Sequence, residues 1–231
     1  MVKQLIRFHD FDIFGTQEGF RNQLDDICQL GNYTCIGEGR DGNDEGEHSA
    51  IFFKTEKFEL LDKGDFWYSE TPDTVGLGWD ATCCNRICSW GKFKEKASGK
   101  TFYFFNSHFD HEGVVARRES SKLMLKKIKE IAGTDVPVFA TGDYNANDQT
   151  EPIQIILKDG LLKDAYDISK EEPYGAKGTY HGYNPKASSD ERIDHIFVTS
   201  RISVLKYGTL NETPNGHYPS DHYPVMIIAE F

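Results

Sequence analysis

An α/β (α+β) fold of two packed, mostly antiparallel β-sheets with helices outside is predicted by three observations. Strand-like segments dominate and follow one another in hairpin order, interrupted by a few helical stretches. The 231 residues carry 38% hydrophobic and 13% aromatic side chains, enough for the core of one ordinary domain. No repeat, low-complexity tract or linker divides the chain, so residues 1–231 read as a single domain.

Lys3–His9 reads as the end of a helix, and Asp12–Glu18 as a buried strand closing on a carboxylate. Phe20–Leu30 sets Leu24, Ile27 and Cys28 or Leu30 on one helical face, with Gly31 as its stop. Tyr33–Gly37 is a short strand, and the Gly- and acid-rich Gly39–His48 an exposed loop. Ser49–Phe53 and Phe58–Asp62 are expected to be neighbouring strands joined by a turn at Lys54–Lys57. Asp65–Asp80, with Trp67 and Trp79, reads as an ordered surface loop walling a pocket. Arg86–Phe93 alternates, and the Ala97–Lys100 turn leads into Thr101–Phe109, a β-hairpin. Val115–Ile131 places Met124, Leu125, Ile128 and Ile131 at helical spacing, with Lys122, Lys126, Lys127 and Lys129 on a solvated face.

Val136–Asn147 is the centre of the pattern: a short apolar run, bounded by Pro and Gly, that ends in Thr-Gly-Asp-Tyr-Asn. It reads as a buried strand whose end carries Asp143 and Asn145, two apart and on one side while the chain stays extended. A helix over Pro152–Lys158, a mixed stretch to Glu191, and strands at Ile193–Thr199, Ser203–Gly208 and Tyr223–Phe231 complete the chain.

The net charge of −11, from 26 basic and 37 acidic residues, disfavours sequence-independent binding along a nucleic-acid backbone. It leaves room for an acidic site in which bound cations bridge to a phosphate. Five cysteines without paired spacing indicate neither a disulfide framework nor a zinc site, and are expected to be buried free thiols in a reducing compartment. No run is long enough to span a membrane and no signal peptide opens the chain. As written, a cytoplasmic location is expected.

Polar side chains recur where strands begin or end. Glu18 closes the first strand, His108 and Asp110 the hairpin, Asp143 and Asn145 the central strand; Asp194 and His195 open another, and Asp221 and His222 precede the last. Each has an ordinary reading as a helix-start acid, a core histidine, a paired acid or a turn. Their joint recurrence points to one centre. A hard cation such as Mg²⁺ takes one or two carboxylates plus waters and phosphate oxygens. A phosphoester needs an aligned water and neutralised oxygens, and a carboxylate-held histidine serves as acid, base or cation.

Thr16-Gln17-Glu18, Asn106-Ser107-His108, Gly142-Asp143-Tyr144-Asn145, Arg192-Ile193-Asp194 and Ser220-Asp221-His222-Tyr223-Pro224 resemble, in order, the motifs of the endonuclease/exonuclease/phosphatase superfamily. The resemblance runs from about Asp12 to the C-terminus. It implies a four-layer, deoxyribonuclease I-like sandwich and Mg²⁺-dependent hydrolysis of phosphoesters, with Mn²⁺ as a substitute. Glu18 matches the metal-binding glutamate and Asp221 a further metal-side acid. Asp143 matches the aspartate that activates or orients the attacking water, with Asn145 holding water or phosphate. His222 matches the histidine on the scissile phosphate, Asp194 the carboxylate that orients it, and His108 a phosphate-contacting histidine. Arg86 is a candidate phosphate contact; Asp110, His111 and His195 adjoin motifs without an assigned role. Family members begin with a strand that ends in a metal-side Asn. Here Met1 falls in the following helix, so the domain is expected to be N-terminally incomplete, and therefore weak in stability or activity.

Expected partners are a phosphoester: a sugar, inositol or lipid phosphate, or a nucleic acid on which Tyr144, Trp67 or Trp79 would stack. Acidity and the aromatic loop favour the compact substrates. A monomer is expected. The alternatives are a non-catalytic phosphate- or nucleic-acid-binding domain that has lost full metal binding, and an interaction protein using its acidic surface.

Overall fold

Four layers stack in the computed structural model, which describes residues 1–184 and 190–231. The central layer is a six-stranded sheet, ordered β4 (Phe58–Trp67), β5 (Ile87–Glu95), β6 (Thr101–His108), β7 (Val138–Asp143), β9 (Asp194–Thr199), β8 (Leu162–Asp164). All its pairs are antiparallel except β6–β7, which the helix α3 (Val114–Ile131) connects as a parallel crossover. Facing it are two smaller sheets: β1 (Ile13–Gly15), β3 (Ile51–Lys54) and β2 (Tyr33–Ile36), and the pair β10 (Ser203–Thr209) and β11 (Val225–Glu230).

Strands buried on both faces lose the apolar–polar alternation, and β6 shows why. Phe102 and Phe104 enter the core between the sheets, beside Ile51, Phe53, Val204 and Tyr207. Phe105 points the other way, to Met124, Leu125 and Ile128 of α3 and to Ile153 and Ile156 of α4 (Glu151–Asp159). A third core closes the outer face of the three-stranded sheet: Ile6 of α1 (Val2–His9) and Leu24 and Ile27 of α2 (Arg21–Cys28) cover Tyr33 and Phe52. On α3, Lys122, Lys126 and Lys129 are exposed, as the helical pattern requires, but Lys127 is half-buried, its ammonium over the Phe66 ring and 3.1 Å from the Asp73 carboxylate. The segment α5 (Ala165–Ile168) and the three-residue β8 were invisible in the sequence, each being too short for its period to repeat twice.

Ser49–Phe53 and Phe58–Asp62 are not neighbours. β3 pairs with β1 and β2, whereas β4 pairs with β5, so the Lys54–Lys57 link crosses between layers. Lys54 fixes that crossing: its buried ammonium donates to Asp10 O at 2.9 Å and lies 2.8 Å and 3.3 Å from the Asp10 and Asp12 carboxylates. Two further expectations change. Asp65 to Trp67 belong to β4, and Trp67 is buried with its indole N–H on Arg40 O at 2.7 Å. Of the cysteines only Cys88 is fully buried; Cys28 and Cys35 are half-buried with sulfurs 3.5 Å apart, and Cys83 and Cys84 pair as a disulfide between adjacent residues. Among the described residues no helix is long and apolar enough to cross a membrane.

Candidate active site

Sheet register brings the predicted residues together. His108 at the end of β6 lies opposite Asp143 at the end of β7, and Asp143 lies opposite Asp194 at the start of β9. One edge of the sheet therefore carries imidazole, carboxylate and carboxylate on adjacent strands. His222 arrives from the segment before β11; its Nδ1 donates to Asp194 Oδ2 at 2.8 Å, and its Nε2 lies 4.0 Å from Asp143 Oδ2. On the other side, His108 Nε2 lies 3.5 Å from Asp143 Oδ2 and 3.9 Å from Glu18 Oε1. Glu18, His108, Asp143 and His222 line a cleft of about 790 Å³ together with Asn145, Arg86 and Asp221, whereas Asp194 is not part of its lining.

Glu18 is not a strand-end residue. β1 stops at Gly15, and Glu18 sits in the left-handed region at φ 62° on the loop beyond. That loop is tied to the sheet by Asn106, wholly buried: its Nδ2 donates to Thr16 O at 2.9 Å and Ala50 O at 3.0 Å, while Gln17 Nε2 and Thr141 Oγ1 donate to its Oδ1 at 2.7 Å and 3.0 Å. A Cβ on Gly15 would come within 2.3 Å of that same Oδ1, so only glycine admits the approach. Asn145 is also left-handed, at φ 47°, so the extended chain ends before it. Its backbone N–H donates to Asp143 Oδ1 at 2.8 Å and its carboxamide to Phe109 O at 3.0 Å.

Arg86 is buried. Its Nη1 is 3.0 Å from His108 Nε2, its Nη2 2.7 Å from His111 Nδ1 and its Nε 3.4 Å from Asp110 Oδ2. His195 is sealed in a different network: its ring lies 2.8 Å from Arg192 Nη1 and 3.1 Å from Asp164 Oδ2, and its Nε2 3.0 Å from Ala146 O, which braces the loop behind Asn145. Arg192 thus pairs with Asp164. Tyr144 is core, packed between Phe109 and Phe197. Neither it nor Trp67 nor Trp79 lines the cleft, and the 65–80 segment forms none of its wall.

Glu47 and Arg40 escaped the sequence reading. They join at 2.6 Å, and both line the cleft. Donor atoms of Glu18, Glu47 and His108 lie within 4.8 Å of one another, as do those of Asp143, Asp194 and His222. An acidic loop without periodicity carries no local signal that one of its acids turns inward.

The charges follow from this crowding. Burial, with the like charge of Asp194, pushes the Asp143 carboxyl up to about 7. Burial opposes charge on His222, but the Asp194 hydrogen bond and the charges of Asp194, Asp143 and Asp221 outweigh it and raise its pKa to about 9. Burial, reinforced by Arg86 and Arg40, holds His108 far below the ordinary histidine range, so it is neutral. Burial and the neighbouring Glu47 and Asp221 carboxylates raise Glu18. Oxygen donors that repel one another across a cleft fit a hard divalent cation, whose charge would relieve the repulsion.

Fold and site together define a four-layer sandwich of deoxyribonuclease I type with a carboxylate–imidazole centre at one sheet edge. The chain belongs to the endonuclease/exonuclease/phosphatase family, whose model it matches over residues 1–222. A mannosyl-6-phosphatase of Bacteroides thetaiotaomicron VPI-5482 has a structure similar to it, with 44% identity and TM-score 0.94, covering 100% of this chain and 89% of that one. An uncharacterised protein of Acanthamoeba polyphaga mimivirus is 28% identical over 179 residues, 71% of this chain and 63% of the viral one. The 3′-5′-exoribonuclease subunit Ccr4 of the CCR4-Not complex of Emericella nidulans is 22% identical, covering 98% of this chain and 46% of its own length. The chain thus spans roughly half to two thirds of these two curated relatives.

Proposed function

We propose that this chain is a divalent-cation-dependent phosphoester hydrolase acting on a compact substrate, foremost a sugar phosphate. The observation that carries the reading is the line His222–Asp143–His108 across the cleft, with Asp194 holding His222 from outside its lining. Glu18 and Asp221, with Asp143 beside them, would hold Mg²⁺ or Mn²⁺, and Glu47 stands within reach of Glu18. A cation held there would neutralise the phosphate oxygens.

The side chains divide the remaining work. Asp194 accepts the Nδ1–H of His222 and keeps it an imidazolium, which presents its Nε2–H to a phosphate oxygen on the Asp143 side. Asp143, once ionised, accepts a proton from the attacking water and fixes its direction. The Asn145 N–H on Asp143 Oδ1 leaves Oδ2 as the oxygen for that task. Arg86 and neutral His108 hold the other phosphate oxygens.

Two considerations favour a compact substrate. Six carboxylates line the cleft (Glu18, Glu47, Asp143, Glu151, Glu191, Asp221) against three guanidinium groups (Arg40, Arg86, Arg117), the reverse of a groove that tracks a polyanion. The 44% identical relative is, by its name, a mannosyl-6-phosphatase. The nuclease reading rests on the more distant exoribonuclease. A panel of hexose 6-phosphates, inositol phosphates and DNA and RNA oligonucleotides, assayed with Mg²⁺, Mn²⁺ or EDTA, tests the proposal. Release of phosphate from a sugar phosphate, abolished by EDTA and by Asp143→Ala or Glu18→Ala, is expected. Turnover that survives EDTA, or is unchanged in both variants, refutes the assigned roles; faster cleavage of oligonucleotides transfers the protein to the nucleases.

A further inference from the structure

Outside the carboxylate centre, at the mouth of the same cleft, a second group of donors converges. Cys83 Sγ, a ring nitrogen of His111 and a carboxylate oxygen of Glu112 lie within 4.8 Å of one another, all three residues exposed. Cys84, whose sulfur pairs with that of Cys83, lines the cleft. The two segments involved are stitched together. Thr82 Oγ1 donates to Glu112 Oε2, Asp80 accepts the Val115 and Ala116 N–H groups at 3.0 Å and 2.7 Å, and Arg86 reaches both Asp110 and His111. Neither segment can drift from the other without breaking these bonds.

We propose that Cys83, His111 and Glu112 form a zinc-binding site that exists only when the Cys83–Cys84 disulfide is reduced. Sulfur, nitrogen and oxygen donors suit Zn²⁺, and a tetrahedral zinc spaces its ligand atoms about 3.5 Å apart, within a short movement of the present arrangement. Mg²⁺ prefers the all-oxygen centre below. A water takes the fourth position.

The gate is a two-electron exchange. A dithiol reductant attacks the disulfide; its two sulfurs become a disulfide and its two hydrogens leave both cysteines as thiols. Zn²⁺ then replaces the Cys83 thiol proton, which passes to solvent. In the oxidised form both sulfurs are tied to each other and no thiolate is available.

Binding reaches the phosphate-holding groups through one residue. Arg86 Nη2 donates to His111 Nδ1 at 2.7 Å, which leaves the ring hydrogen on Nε2. To ligate through Nε2 the ring must move that hydrogen to Nδ1, and to ligate through Nδ1 it must give up that lone pair. Either way the Arg86 hydrogen bond is lost. Arg86 also contacts His108, so the rim metal and the floor of the cleft share a residue.

The test is spectroscopic and independent of turnover, so its failure leaves the hydrolase reading standing. Co²⁺ is titrated into protein reduced with dithiothreitol and desalted without oxygen, with Mg²⁺ in excess to hold the oxygen site. Cys28→Ser and Cys35→Ser are built in, because those two sulfurs are the other close pair. One thiolate-to-cobalt charge-transfer band per chain is expected, displaced by one equivalent of Zn²⁺. It should be absent from the oxidised protein, absent in Cys83→Ser, and at least tenfold weaker in affinity in His111→Ala. No band in the reduced protein, a band retained in Cys83→Ser, or equal titrations before and after reduction overturns the proposal.

Discussion

Asp194→Asn isolates the charge that holds His222 protonated. The wild-type pKa of about 9, against an ordinary 6.5, corresponds to about 3 kcal/mol of preference for the imidazolium. Burial works against that preference, so the charges must supply it, and Asp194 at 2.8 Å is the nearest. Asparagine keeps an oxygen for the Nδ1–H but removes the charge. The midpoint should fall to the neighbourhood of 6.5, with Asp143 at 4.0 Å partly compensating burial. At pH 8 the imidazolium share then drops from about 90% to about 3%. An NMR titration of the His222 Cε1–H, assigned by its disappearance in His222→Gln, reads this directly. A linked effect has a definite sign. A raised histidine pKa contributes stability that is complete below 6.5 and lost as pH rises through about 9, so the wild type should weaken over that window and the variant should not. A midpoint remaining near 9 in Asp194→Asn would refute this account of the site.

Asp143 acts in the same direction over a lower window: its carboxyl, raised from 3.8 to about 7, makes the folded chain less stable as pH rises across that range. Asp143→Asn should therefore raise Tm by about 5 °C at pH 8 without divalent cations and give no gain at pH 4, measured by calorimetry. Turnover should rise with pH through about 7 and fall through about 9, with added cation moving the lower limb toward acid. Asn106→Ala strips partners from two backbone carbonyls and two side chains and should cost about 3 kcal/mol or more in urea unfolding. Glu18→Gln should raise the Mg²⁺ concentration for half-maximal activity at least tenfold; an unchanged requirement would remove Glu18 from the cation site.

The parts of the fold legible in the sequence are those with a repeating local cause. The face of α3 is set by a 3.6-residue period, and the β5–β6 hairpin by alternation around a Gly-containing turn. Lys54 shows where this ends. A lysine in a turn-like stretch looks solvated, and only the approach of Asp10 and Asp12 makes it a buried anchor that sends β4 to another sheet. His195 likewise follows Asp194 in sequence yet faces the opposite side of the strand, into Asp164 and Arg192.

By itself the sequence determined that His108, Asp143 and Asp194 stand at strand boundaries, though not that Glu18 lies on a loop beyond one, because residue type and local period are written in the order of the chain. Only tertiary structure decided that β6, β7 and β9 end level, setting His108, Asp143 and Asp194 side by side, and that Glu47 and Arg40 fold inward from an acidic loop. The reason is physical. Strand register and loop closure are settled by packing between segments distant in the chain, and that packing leaves no periodic trace in either partner.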